Sequence, residues 1–197
     1  MSIWDERYAS KEYQYGTEAN DFLCQVAEKI PLGKCLCLAG GEGRNAVYLA
    51  GRGHQVTAVD ASAVGLKKAR RLARQSSVEI ETIVADLNNF AIEPESWDAI
   101  VSIYCHVAAE IRPALHRKVV AGLRSGGMLI LEAYRPEQLE YRTGGPPAVE
   151  MLMTLEQLRQ ELCGLNFIHA VELEREVVEG KLHTGVGAVV QVLAVKP

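Results

Sequence analysis

Along the chain, short apolar runs alternate with segments in which apolar residues recur every three or four positions, the pattern of a parallel sheet covered by helices. Asn20 or Asp21 can cap a helix with Phe22, Val26 and Ile30 on one face, ended by Pro31. Cys35-Leu36-Cys37-Leu38-Ala39 reads as a strand buried on both sides, and Gly40-Gly41-Glu42-Gly43 as a tight turn into a helix from Arg44 to Ala50. Gly51 and Gly53 stop that helix. A second strand, Gln55 to Val59, ends at Asp60; Ser62 caps a helix with Leu66, Ala69 and Leu72 inward and Lys67, Lys68, Arg70, Arg71 and Arg74 on its solvated side. Further strands are expected at Glu79 to Ala85, ending in Asp86, at Asp98 to Ile103, and at Met128 to Ala133 after Gly126-Gly127. A helix from about Glu110 to Leu123 buries Ile111, Leu115 and Val119. Thr154 and Gln157 form a capping box for a helix with Leu155, Leu158 and Leu162. Past Gly164 the alternation ends, and Phe167 to Val178 with Val186 to Val195 read as an antiparallel hairpin on the sheet edge. The fold class is therefore α/β: a doubly wound, mostly parallel sheet with an antiparallel C-terminal hairpin.

Length narrows this to one domain, residues 1–197, in which 1–33 form a helical segment ahead of the first strand. Lys+Arg 21 against Asp+Glu 25 gives a net charge of -4, which argues against nucleic acid held by charge. No apolar run is long enough to span a membrane, and Met1 to Arg7 has no signal-peptide core. The expectation is a cytoplasmic monomer or homodimer. Cys24, Cys35, Cys37, Cys105 and Cys163 are scattered, as are His54, His106, His116, His169 and His183; none has the spacing of metal ligands, so no metal is expected.

The candidate chemistry lies at the strand ends. A glycine turn after the first strand lets backbone approach a ligand closely. Asp60 follows Gly43 by 17 residues and suits paired ribose hydroxyls. Asp86, on the same sheet edge, could accept from the exocyclic amine of adenine while the Leu87 N–H faces a ring nitrogen. Together they describe an adenosine pocket. Gly41-x-Gly43-x-x-Ala46 also fits the dinucleotide fingerprint, so an NAD(P)-dependent oxidoreductase is the rival reading. The 34 residues before the first strand and the terminal hairpin count against it.

Leu36-Cys37-Leu38-Ala39-Gly40-Gly41-Glu42-Gly43, Asp60, Asp86, Trp97-Asp98-Ala99-Ile100 and Leu123-Arg124-Ser125-Gly126-Gly127 resemble the ordered motifs of class I S-adenosylmethionine-dependent methyltransferases. Gly41-Glu42-Gly43-Arg44-Asn45, Tyr48-Leu49-Ala50, Trp4-Asp5-Glu6-Arg7-Tyr8 and Tyr15-Gly16 are similar to tellurite-resistance-type and related small-molecule methyltransferases. The resemblance implies a Rossmann-like seven-stranded methyltransferase fold and S-adenosyl-L-methionine as cofactor. It implies a cofactor site of Tyr15, Ala39, Gly40, Gly41, Gly43, Arg44, Asp60, Ala61, Ser62, Asp86, Leu87 and Tyr104. It also implies an N-terminal segment folded over the cofactor, with Tyr8, Tyr13 or Tyr15 near its methionine end. Two positions depart from the family, which usually has an acid at Cys37 and a glycine at Ala39; they keep a non-catalytic cofactor-binding module in view.

Methyl transfer from a sulfonium is an in-line displacement in which the protein mainly positions donor and acceptor. A base is needed only for a protonated acceptor. His106, after the fourth strand, is the candidate, its ordinary pKa being near neutral. The loop from Tyr134 to Ala148 is long enough to be functional, and Arg135, Tyr141 and Arg142 within it would suit an anionic acceptor. Ser102-Ile103-Tyr104-Cys105-His106 lacks the Asn/Asp-Pro-Pro-aromatic motif of many enzymes that methylate nucleic-acid bases, which leaves a small-molecule acceptor.

Overall fold

The computed structural model describes residues 3–197, so Met1 and Ser2 of the expected lid lie outside the described residues. Two helices come first, α1 (Ile3–Tyr8) and α2 (Asp21–Val26), the latter capped by the Asn20 side chain, which accepts from the Leu23 N–H. A single 3-10 turn, Ala27–Lys29, replaces the rest of the helix expected to reach Pro31. Then follow β1 (Lys34–Leu38), α3 (Arg44–Gly51), β2 (Gln55–Asp60), α4 (Ala63–Gln75), β3 (Glu81–Val84), β4 (Trp97–Ile103) and α5 (Arg112–Gly122). The chain closes with β5 (Leu123–Tyr134), α6 (Gln138–Tyr141), α7 (Leu155–Glu161), β6 (Asn166–Glu179) and β7 (His183–Val195).

The seven strands form one sheet in the order β3-β2-β1-β4-β5-β7-β6. The first five run parallel; β7 is antiparallel to both β5 and β6, with Glu132 beside Gln191 and Glu179 beside His183. Strand side chains alternate between two cores, which is why the inner strands are apolar without a polar face. Leu36, Leu38, Ile100, Leu129 and Leu131 meet Leu115 and Val119 of α5 and Leu158 of α7 on one side. Cys35, Cys37, Ala58, Val101 and Ile130 meet Leu23 of α2, Leu49 of α3 and Leu66 of α4 on the other. Cys35 and Cys37 thus share one buried face, and burial pushes the Cys35 thiol up to about 12.

The structure shifts several boundaries. β3 spans Glu81–Val84 only, and Leu123 opens β5 instead of closing α5. The hairpin is longer than its hydrophobic pattern, because polar residues through Glu179 and from His183 stay paired. Lys68, expected on the solvated face of α4, is buried. The order β2-β1-β4 makes the chain reverse direction across the sheet beside the carboxyl end of β1, the place where such sheets bind ligands. Among the described residues no helix is long and apolar enough to cross a membrane.

Candidate active site

A cavity of about 670 Å³ opens at the carboxyl ends of β1, β2 and β4, within the range of small-molecule and cofactor sites. Its floor is the turn after β1. There Gly41 and Gly43 have φ of +50° and +94°. A Cβ on Gly43 would sit 2.5 Å from that of Ala69, so α4 can pack this closely only against glycine. Ala39, where the family resemblance expects glycine, also takes a left-handed conformation, with φ +47°.

Asp60 ends β2 buried beneath this turn. Its Oδ2 accepts from the Gly41 N–H at 2.8 Å and its Oδ1 from the Ser62 N–H at 2.8 Å. Burial raises its pKa, and the two N–H donors oppose that shift. A carboxylate has about four acceptor positions, so two remain for ligand donors. Asp86, exposed at the end of β3, accepts from the Asn88 N–H at 2.9 Å and faces the same cavity as Leu87.

Of the residues expected to hold a cofactor, Tyr15, Ala39, Gly40, Gly41, Gly43, Arg44, Asp60, Ala61, Asp86, Leu87 and Tyr104 all line this cavity. Ser62 does not. Its hydroxyl is consumed in capping α4, accepting from the Gly65 N–H at 3.0 Å and donating to Asp5 at 2.6 Å. Of the three N-terminal tyrosines, Tyr8 and Tyr15 line the cavity. Tyr13 instead donates to the Lys68 carbonyl at 3.3 Å, outside it.

His106 lines the cavity but cannot titrate as expected. Its Nδ1 lies 3.0 Å from the Met151 carbonyl and its Nε2 accepts from the Tyr134 N–H at 3.3 Å, which fixes a neutral tautomer with both nitrogens occupied. Burial lowers its pKa to about 4. The long loop reaches the cavity through Gly144-Gly145-Pro146-Pro147, not through its arginines. Arg135 lies 3.6 Å from both Glu137 and Glu172, and neither Tyr141 nor Arg142 lines the cavity, so the anionic-acceptor expectation loses its residues.

The sequence reading missed what holds the N-terminal segment to the glycine turn. Lys68 forms an ion pair with Glu42 and donates to the carbonyls of Tyr8, Ser10 and Glu12, at 2.6 Å for Glu12. The Glu42 Oε2 accepts from the N–H groups of Gln14 and Tyr15 at 2.7 and 3.3 Å. The helical period held the signal, since Lys68 falls three residues after Gly65 and four before Leu72, both inward. The hairpin brings His183 to the cavity as well, and a buried network behind it was missed too. Glu132 accepts from Asn20 at 2.7 Å and from Arg175 at 2.7 Å; Glu179 accepts from Asn20 at 2.7 Å and pairs with Arg44. These five polar side chains, with Gln191 on Glu132, tie the hairpin to α3 and the N-terminal segment.

Residues 35–127 match the family model described as a methyltransferase domain. A methyltransferase of Bacillus subtilis, YbaJ, itself uncharacterized, is 31% identical over 98 residues, which are 49% of this chain and 38% of the relative. The chain thus spans well under half the length of that curated relative. Among solved structures, TehB from Haemophilus influenzae superposes with a TM-score of 0.75 at 20% identity, over 98% of this chain and 66% of that one. The N-methyltransferase NodS from Bradyrhizobium japonicum WM9, bound to S-adenosyl-L-homocysteine, gives 0.70 at 16%, over 98% and 96%. The domain match covers just under half of this chain, and the likeness to the solved structures is one of fold.

Proposed function

We propose that this protein transfers a methyl group from S-adenosylmethionine to a small-molecule acceptor inside the cavity. The observation that carries the reading is the convergence on one cavity of a glycine turn too tight for side chains, a buried strand-end carboxylate and a second strand-end acid. These residues fit the cofactor. Asp60 would accept from the ribose hydroxyls, Asp86 from the adenine amine beside the Leu87 N–H, and the Gly41–Gly43 turn would let the chain pass the amino-acid end, near Tyr15 and Arg44. When bound, the cofactor supplies an electrophilic methyl group on a sulfonium.

The protein's own residues then bind and orient the reactants. Residues 3–33 act as a lid within a single domain, closed over the glycine turn by Glu42 and Lys68. Tyr8 fills the ledge over Gly41 and Gly65, where its ring comes within 3.0 Å of the place a Gly65 Cβ would occupy. Aromatic faces beside the reacting centre also favour a cation. His106, held at both nitrogens, positions the wall and does not act as base. All five cysteines are unpaired, and three are buried, which suits the reducing cytoplasm.

Asp60→Ala tests the site directly. Losing charge-assisted hydrogen bonds of about 1.5–3 kcal/mol should weaken S-adenosylhomocysteine binding at least about tenfold in a calorimetric titration. Equal affinity in wild type and variant would remove Asp60 from the site.

A further inference from the structure

The cavity wall built by the hairpin and the end of β4 differs in character from the cofactor-binding turn. The His183 ring meets Tyr15 and Tyr104 edge to face, at centroid distances of 4.6 and 4.8 Å. Tyr134 backs the same ring at 5.3 Å. His183 is 8% exposed, lines the cavity, and its buried Nδ1 has no hydrogen-bond partner. Buried polar atoms are nearly always paired, so an orphaned nitrogen on a cavity wall points to a bound partner. Desolvation, then Arg44, lowers its pKa to about 3, so at neutral pH it is an uncharged imidazole.

Two further observations restrict what that partner can be. The two arginines of the lining are already engaged: Arg44 is ion-paired to Glu179, and Arg7 donates to the Tyr15 hydroxyl at 3.1 Å with its guanidinium over Trp4. The wall also offers no strong base, since burial leaves the His183 imidazole itself only weakly basic. His106 has both nitrogens occupied, and burial raises the hydroxyls of Tyr15 and Tyr104.

We propose that His183 is the acceptor-binding residue of this cavity, and that the acceptor is an uncharged, largely apolar small molecule reacting through a sulfur or an unprotonated nitrogen. This rests on the methyl-transfer reading above. The acceptor's lone pair forms the new bond to the methyl carbon while the bond from that carbon to sulfonium sulfur breaks, its electron pair staying on sulfur. A thiol releases its proton to solvent, whereas a pyridine-type nitrogen, on a ring held to His183 through a second polar group, leaves as the N-methyl cation. Neither needs a proton acceptor on the protein. Alcohols need a strong base that the wall lacks, and carboxylates need a free cation.

The test uses the full chain with S-adenosylhomocysteine bound, titrated with cyclohexanethiol, 3-aminopyridine and cyclohexanecarboxylate. His183→Phe keeps a ring against the three tyrosines but has no nitrogen; His183→Gln restores a hydrogen-bonding group. The proposal expects saturable binding of cyclohexanethiol or 3-aminopyridine, weakened at least fivefold by His183→Phe and partly restored by His183→Gln. Affinity for S-adenosylhomocysteine should stay within twofold in both variants, and the carboxylate should bind more weakly than either neutral probe. The proposal is overturned if neither neutral probe binds, if the carboxylate binds best, or if His183→Phe leaves binding unchanged. Failure of S-adenosylhomocysteine itself to bind is a separate result, and it removes the methyl-transfer reading together with this proposal.

Discussion

Ala39 and Tyr104 occupy matching places, one residue past β1 and one past β4, and both have left-handed backbone, with φ +47° and +51°. Side chains resist that region by roughly 1–2 kcal/mol, and such strain gathers at functional sites. At Ala39 the strain is relieved by glycine, whose own entropic penalty is about 0.5–1 kcal/mol. Ala39→Gly should therefore stabilise the fold by about 0.5–1 kcal/mol in urea unfolding; a loss of stability would mean the alanine methyl packs usefully. At this scale, what was legible in the sequence were residues whose role follows from local chemistry: glycines that must turn, acids that end strands. His106 and Ser62 were misjudged because their partners, Met151 and Asp5, lie far away in the chain. No local pattern announces such a partner. The same holds for His183, whose place on the wall depends on the hairpin's pairing with β5.

At the scale of elements, the N-terminal segment proposed as a lid is the least self-sufficient part. α1 has six residues, too few to hold a helix alone, and the segment from Ser10 to Gly16 has no regular structure. Its anchorage is the Glu42–Lys68 pair and the backbone groups around it. Breaking a buried pair on one side leaves an uncompensated charge and destabilises by about 3–5 kcal/mol, while neutralising both sides is far milder. Lys68→Met should thus lower stability by roughly 3 kcal/mol and speed hydrogen exchange at the Gln14 and Tyr15 amides, with Lys68→Met/Glu42→Gln recovering much of the loss. Unchanged exchange at those two amides would show that the lid is held by other means. Most elements could be read from apolar period and capping chemistry, as with Thr154 and Gln157, whose capping box is present. α1 and α6 could not, being short segments fixed by tertiary contacts.

For the molecule as a whole, three histidines have lowered pKa values, all mainly through burial: His54, His106 at about 4 and His183 at about 3. In the unfolded chain a histidine takes up a proton near pH 6.5, which these folded sites refuse until far lower pH. Stability should therefore be full above about pH 7 and fall as pH drops through 6.5. Between pH 7 and 5, His106 and His183 together account for a loss of roughly 2–4 kcal/mol. His183→Phe should remove about half of that slope, and a flat profile would show that these rings charge freely in the fold. The sheet order follows from the alternation of strands and helices, and the doubly wound class was legible before any coordinate. The wall around His183 was not, because it forms only where the hairpin, β4 and the Gly144–Pro147 loop converge.

The central claim is the identity of the cofactor, and thermal unfolding with S-adenosylmethionine, S-adenosylhomocysteine, NAD and NADP in separate samples tests it most directly. A ligand at 100 times its dissociation constant stabilises by about 2.7 kcal/mol, which for a chain of this size raises the midpoint by roughly 5–10 °C. The account predicts that rise with the two sulfur compounds and none with the nicotinamides. A rise with NAD or NADP alone would contradict it.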